Sequence, residues 1–416
     1  MSVRRSAAEP ESIPGGRTRA GTHGGGPAGP VVGPPAGPPT GRLAVLDAVR
    51  VLAALAVVFY HYTALASAWG RPTDAVFPVA RHLAVYGWLG VEIFFLVSGF
   101  VICMSAWGRS LGEFAVSRVS RLFPAYWAAV AFTSLVLLGW PEVRKVERFT
   151  DILVNLSMVQ GGLGVPHIDD VYWTLFVELK FYVLFAVVVM SGLTYRNCVL
   201  FCGVWTLAGV VAPTADSGLL SFFAVPSASP YFIAGIAFHL MRRFRPNAVL
   251  WAVVLAQFLI AQHYVPARMV SSLGRGVTDQ VPDWPAHLII LLGFLVMAGI
   301  ALGVFDRVRW RWLPHAGALT YPLYLIHMMA GLTLIHHFRD QVPPVPLALG
   351  VTAVMLAVAW AIHRLVERPL GRVLRSSLRR GMQDIRSVTP PPTRPTLDRL
   401  PAQLSEPEAE RIPAVR

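Results

Sequence analysis

Residues 43–63 read LAVLDAVRVLAALAVVFYHYT. The stretch is long and apolar enough to cross a bilayer of about 30 Å. It nevertheless carries Asp47, Arg50 and His61. Charge inside a bilayer is costly and is seldom kept without a role. Arg50 and His61 are eleven residues apart. At about 100° per residue that is three turns plus about 20°, so the two side chains share one face, roughly 16 Å apart along the axis. Asp47 precedes Arg50 by one turn, within reach of pairing. The stretch reads as a transmembrane helix with charges near one end and a lone imidazole at mid-depth. Imidazole is the side chain best suited to moving protons near neutral pH.

The rest of the chain has the same character. It is 55% hydrophobic and only 14% charged, with a mean hydropathy of +0.54. Soluble proteins carry about 25% charged residues, so the composition is that of a polytopic membrane protein. The net charge is +13, and of 36 basic residues only Lys145 and Lys180 are lysines. A basic chain can signal nucleic-acid binding. Here the arginines sit in short loops and the C-terminal tail, which fits anchoring to anionic lipid instead. Cys103, Cys198 and Cys202 all lie in apolar segments and read as buried thiols. The Cys198-x3-Cys202 pair lacks a nearby histidine, so no metal site is expected.

Residues 1–42 are rich in Gly, Pro and Arg without an apolar run; they are expected to form a disordered cytoplasmic tail and no signal peptide. Ten apolar segments follow, at about 43–66, 84–105, 123–140, 171–192, 197–213, 219–241, 248–264, 286–304, 318–338 and 346–365. The expected fold is therefore all-α, with about ten transmembrane helices over a domain at 43–368. A basic, Pro-rich cytoplasmic tail, 369–416, closes the chain, with a short basic helix near 366–386. With the N-terminus inside, all four inner loops are net positive and the outer loops range from −2 to +1. Counting only Lys and Arg, the short loops differ less, and the Arg-rich tails decide the orientation: both termini in the cytoplasm.

Several polar residues stand out inside the spans. The second segment, GWLGVEIFFLVSGFVICMS, holds Glu92 and the small pair Ser98–Gly99. Small residues let helices approach closely; a serine nucleophile would need a base beside it. Arg118 and Arg121 in SRVSRLFPAYW are three apart on one helical face. They serve either as anchors on the positive side or as a bidentate grip on phosphate groups. In VYWTLFVELKFYVLF, Thr174, Glu178 and Tyr182 share a face, with Lys180 roughly opposite. In ALTYPLYLIHMM, Thr320, Tyr324 and His327 share another. Glu178 serves either as one half of a structural interhelical pair or as a lining residue of the cavity holding His61. There is no Walker A sequence, no dinucleotide GxGxxG and no His-x4-Asp. Gly108-Arg-Ser-Leu-Gly112 matches G-x-S-x-G only literally, since it follows a transmembrane segment rather than a strand.

Taken together, these elements resemble acyltransferase family 3, integral membrane O-acyltransferases. LDAVRVLAALAVVFYHY is similar to the family's opening helix, with its Arg-x10-His signature at Arg50 and His61. GVEIFFLVSGFVI resembles the second-helix motif, with Glu92 where Asp is more usual. SRVSRLFPAYW, YWTLFVELKFY and LTYPLYLIH resemble three further motifs, in family order, over about residues 43–368. One departure is Leu179, where a second acidic or polar residue is frequent. The family's optional C-terminal esterase-like domain has no counterpart in the sequence.

The resemblance implies an enzyme of the cytoplasmic membrane that moves an acyl group from cytoplasmic acyl-CoA to a hydroxyl. Acetyl-CoA is the expected donor, without a metal. His61 would be general base on the acceptor or would carry the acyl group. Arg50 would orient the donor or stabilise the oxyanion, and Glu178 completes the expected catalytic set. Arg118 and Arg121 would hold the donor. Trp173, Tyr182, Tyr324 and His327 would bind substrate. The acceptor would be a sugar on a cell-surface glycan or a glycosylated natural product. The competing class is a proton-coupled transporter, which also uses intramembrane His, Glu and Arg, though no repeated halves are visible in the sequence.

Overall fold

A computed structural model describes residues 43–65, 67–308 and 310–388. The expected tail 1–42, and the part of the C-terminal tail beyond 388, lie outside them. Every described element is helical, and the chain is an all-α polytopic membrane protein. All ten apolar segments form helix. Among the described residues, seven helices are long and apolar enough to cross a membrane, and two bent helix pairs raise this to nine if each is one span. The remaining segment, 197–213, forms a shorter helix of 17 residues, Tyr195–Val211.

In chain order the main helices are α1 (Ala44–Thr63), α2 (Leu89–Ala106), α3 (Leu111–Gly139), α4 (Tyr172–Met190), α5 (Tyr195–Val211), α6 (Gly218–Ala224) and α7 (Ser229–Phe244). They continue with α8 (Ala248–Leu273), α9 (Trp284–Ala301), α10 (Leu313–Ile326), α11 (Met329–Phe338), α12 (Pro344–Ala361) and α13 (Arg368–Val388). Along α1 the buried stripe is Ala53, Ala54, Val57, Val58 and His61, while Leu52, Leu55 and Phe59 are exposed. An exposed apolar stripe opposite a buried one is what a helix between lipid and bundle needs. The spans alternate in direction. The starts of α1, α3 and α10 and the end of α12 therefore share one end of the bundle, the arginine end. The ends of α1 and α8 and the start of α4 share the other.

Close helix contacts depend on glycine. A Cβ on Gly99 of α2 would lie 2.1 Å from the carbonyl oxygen of Phe232 in α7, and one on Gly235 would lie 2.2 Å from that of Leu96. The two backbones touch where the sequence shows its FFLVSGF run, as small-residue packing requires.

Three boundaries differ from the sequence-based expectation. Helix α3 starts at Leu111, not near Pro124, because Ser110 and Glu113 form a capping box that opens a helix there. Pro124 lies within it, and Arg118 and Arg121 are helical rather than in a loop. Ser110 of the literal G-x-S-x-G match is thus a helix cap. Helix α8 runs on past residue 264 through Pro266 to Leu273, carrying Arg268 into the bundle. The segment 318–338 is broken: α10 and α11 meet at a bend of 70°, with His327 and Met328 at the joint. Backbone groups freed by a break inside a bilayer must find partners. The Met329 N–H donates to Asp169 Oδ2 at 2.9 Å, and the Tyr62 hydroxyl donates at 2.7 Å to the His327 carbonyl, which also accepts the Gly331 N–H.

Candidate functional site

The break between α10 and α11 points the His327 ring at α1. His327 Nε2 lies 2.9 Å from His61 Nδ1, and both residues are buried. The other nitrogen, His327 Nδ1, lies 2.8 Å from the carbonyl oxygen of Tyr324. A carbonyl can only accept, so with neutral rings His327 Nδ1 carries its proton and Nε2 offers its lone pair. His61 Nδ1 must then be the donor between the rings, which leaves the lone pair on His61 Nε2. The hydrogen-bond chain therefore assigns His61 the tautomer of a general base.

Two cavities meet beside this pair. The outer one, about 350 Å³, is lined by His61, Trp88, Trp173, Arg268, Tyr324 and Met328 among others. The inner one is a narrow cleft of about 90 Å³ lined by Arg50, Arg118, Arg121, Glu178, Tyr182 and Tyr324 among others. Val91 and Tyr324 line both, so the cavities adjoin. The Tyr324 hydroxyl is held there by Thr174 Oγ1 at 2.9 Å.

The structure thus separates the residues that the sequence groups together. His61 and His327 join directly, and Trp173 and Tyr324 line the outer cavity with His61. Arg50, Arg118 and Arg121 converge in the inner cleft with Tyr182. Glu178 lies with these guanidiniums and accepts a hydrogen bond from Ser98 at 2.5 Å. The expectation that Glu178 lines the cavity of His61 is not met: its position on α4 sets it deeper toward the arginine end. Ser98 is bound to this carboxylate rather than beside a histidine. Lys180 points away, its ammonium over the rings of Phe176 and Phe222 at 5.3 and 4.6 Å.

Two participants escape the sequence reading. Arg268 pairs with the fully buried Glu92 at 2.8 Å. Its guanidinium lies 5.8 Å from the ring centroid of Trp88 and 5.2 Å from that of Trp173, at the wall of the outer cavity. A guanidinium held against aromatic faces is stabilised by the ring quadrupoles. The missed signal was Glu92, an intramembrane carboxylate in need of a cation. Asp169 is the other. It sits outside the spans, just before α4, and accepts the N–H groups of Met329 and Val171. Burial pushes its carboxyl up to about 7, against those two hydrogen bonds, which favour the ionised form. It fastens the break that aims His327.

The three cysteines are buried and free. Among the described residues no group of three or more metal-ligating side chains comes together.

A family profile described as "Acyltransferase domain" matches residues 43–364. The chain belongs to acyltransferase family 3. It is 26% identical over 367 residues to nodulation protein 10 of Rhizobium leguminosarum bv. viciae, covering 80% of this chain and 94% of that protein. It is 25% identical over 381 residues to the acyltransferase MdmB of Streptomyces mycarofaciens, covering 80% and 92%. To the exopolysaccharide production protein ExoZ of Rhizobium meliloti it is 26% identical over 316 residues, covering 70% and 92%. No solved structure matches the chain significantly. The protein is an acyltransferase of the membrane.

Proposed function

We propose that the protein takes an acyl group, acetyl or another short acyl, from cytoplasmic acyl-CoA. It delivers that group to a hydroxyl of a sugar, on a cell-surface glycan or a glycosylated natural product, at the cytoplasmic membrane. One observation carries this reading: a buried imidazole pair with a free base nitrogen stands where a guanidinium-lined cleft meets an aromatic-walled cavity. Arg50, Arg118 and Arg121 suit an anionic donor. The indole of Trp173 suits the apolar face of a sugar ring. The relative named for exopolysaccharide production supports a carbohydrate acceptor.

The donor enters from the arginine end and lays its thioester near Tyr324. The acceptor hydroxyl approaches from the outer cavity, and His61 Nε2 takes its proton as the oxygen attacks the thioester carbonyl. The ester C–O bond forms, the C–S bond breaks, and the proton passes from His61 to the departing thiolate. His327 fixes the His61 ring and accepts from its Nδ1–H throughout. Arg50, which lines the inner cleft and not the His61 cavity, orients the donor rather than the oxyanion. Charge in the inner cleft is offset in part by Glu178.

The test uses acetyl-CoA labelled in the acetyl group, with membranes of a deletion strain as acceptor source. Purified protein should release CoA thiol and move label into the carbohydrate fraction. A transporter would move solute without consuming thioester, and that result would overturn the proposal.

A further inference from the structure

Beyond the last span the described chain, through residue 388, stays against the bundle. Helix α12 continues through a π-helical turn, Ile362–Glu367, into α13. Such turns reorient a helix. Here α13 lies along α3: a Cβ on Gly371 would be 3.0 Å from the carbonyl oxygen of Ser120, and Arg375 Nε donates to Ser120 Oγ at 3.3 Å. Between the two helices is a cavity of about 250 Å³ whose charged lining is Arg118, Arg121, Arg368, Arg372, Arg375 and Glu367. Glu367 is engaged by His363 at 2.7 Å. The buried Nε of Arg118 has no hydrogen-bond partner among the described residues. Five guanidiniums line this space, against Glu367 in its wall and Glu178 beside Arg118 and Arg121 in the inner cleft, and the excess positive charge favours a bound anion.

We infer that α13 completes a polyphosphate site, and that Arg368, Arg372 and Arg375, with Arg118 and Arg121, grip the 3′-phosphate and diphosphate of coenzyme A. The inference rests on the proposed acyl-CoA donor. The two spaces connect: Arg118 and Arg121 line both this cavity and the narrow inner cleft. The broad, basic chamber suits a phosphorylated nucleotide. The thin cleft beyond it suits an uncharged pantetheine arm reaching toward Tyr324. A phospholipid offers phosphate chemistry too, but it has no thin polar arm to fill that cleft.

The test measures binding to the full-length protein in phosphatidylcholine nanodiscs, by competition against labelled CoA. The competitors are CoA, 3′-dephospho-CoA and pantetheine. The wild type should bind them in that descending order. Arg372→Gln with Arg375→Gln should weaken CoA at least roughly tenfold, the loss expected of one charge-assisted hydrogen bond, with pantetheine unchanged. The gap between CoA and its dephospho form should shrink. The Arg372→Lys, Arg375→Lys variant keeps the charge without the fork and should fall between, which preserves the test if the Gln variant fails to fold. Unchanged CoA binding in both variants overturns the inference and leaves the donor proposal standing. Lost retention of phosphatidylglycerol in native mass spectrometry, with CoA binding intact, makes the cavity a lipid site and also overturns it. A folded wild type that does not bind CoA at all sinks the donor proposal itself.

Discussion

The two histidines should fail as one unit. In His61→Ala the base nitrogen is gone, and general-base loss costs turnover about 10²- to 10⁴-fold. In His327→Ala the base remains, but His61 Nδ1–H loses the acceptor that stands 2.9 Å away in a buried site. A buried donor left unpartnered costs about 1–3 kcal/mol, and that energy is expressed as a choice of tautomer or rotamer in which Nε2 no longer faces the hydroxyl. Converted at about 1.4 kcal/mol per decade, the loss is roughly 5- to 150-fold in turnover. The double variant should then be no slower than His61→Ala, because orienting an absent base has no value. The assay is CoA thiol release from acetyl-CoA per folded molecule, with deletion-strain membranes as acceptor and with monodispersity checked for each variant. If the two single losses multiply in the double variant, the histidines act independently and the tautomer argument is wrong.

Other outcomes follow from the surrounding contacts. Glu178→Gln keeps the Ser98 hydrogen bond and removes an anion from beside Arg50, Arg118 and Arg121. It should lower thermal stability and reduce turnover less than about tenfold, since the carboxylate is remote from the base; a 100-fold loss at unchanged stability would give it a chemical role. Glu92→Gln leaves Arg268 without its charged partner, and breaking a buried pair costs about 3–5 kcal/mol. Its melting temperature in detergent should fall sharply, and an unchanged value would show that the pair is dispensable. Asp169 has a folded-state carboxyl raised from 3.8 to about 7. A raised acid binds its proton more tightly when folded, so its contribution falls as pH rises through this interval. Asp169→Asn should therefore flatten the pH dependence of stability between about 4 and 7 relative to the wild type; identical slopes would refute the assignment.

Much of the fold was legible because lipid imposes length and apolarity on every span. All ten apolar segments proved helical, and the face shared by Thr174, Glu178 and Tyr182 does point inward. Boundaries were read less well where polar residues continue a helix beyond its apolar part. Ser110 and Glu113 cap α3 a full three turns before Pro124, and α8 carries Arg268 past residue 264, where its apolar segment was expected to end. The break at His327 was not legible, because the groups that hold it, Asp169 on the Met329 N–H and Tyr62 on the His327 carbonyl, come from distant positions in the chain. The residue types at the site were legible from charge inside apolar runs. Their partition into two cavities was not, since depth differs between helices that share no local sequence. The pairing of His61 with His327 is of the same kind: each side chain announced itself, but only the bend brings them together.

In the proposed reaction an acyl group reaches a sugar hydroxyl by way of His61. The direct measurement is mass spectrometry of surface glycans and secreted metabolites from a deletion strain, complemented with wild type or with His61→Ala at equal membrane levels. Deletion should remove one acyl mass, the wild-type gene should restore it and His61→Ala should not. An acyl profile unaltered by deletion, or one fully restored by His61→Ala, would contradict it.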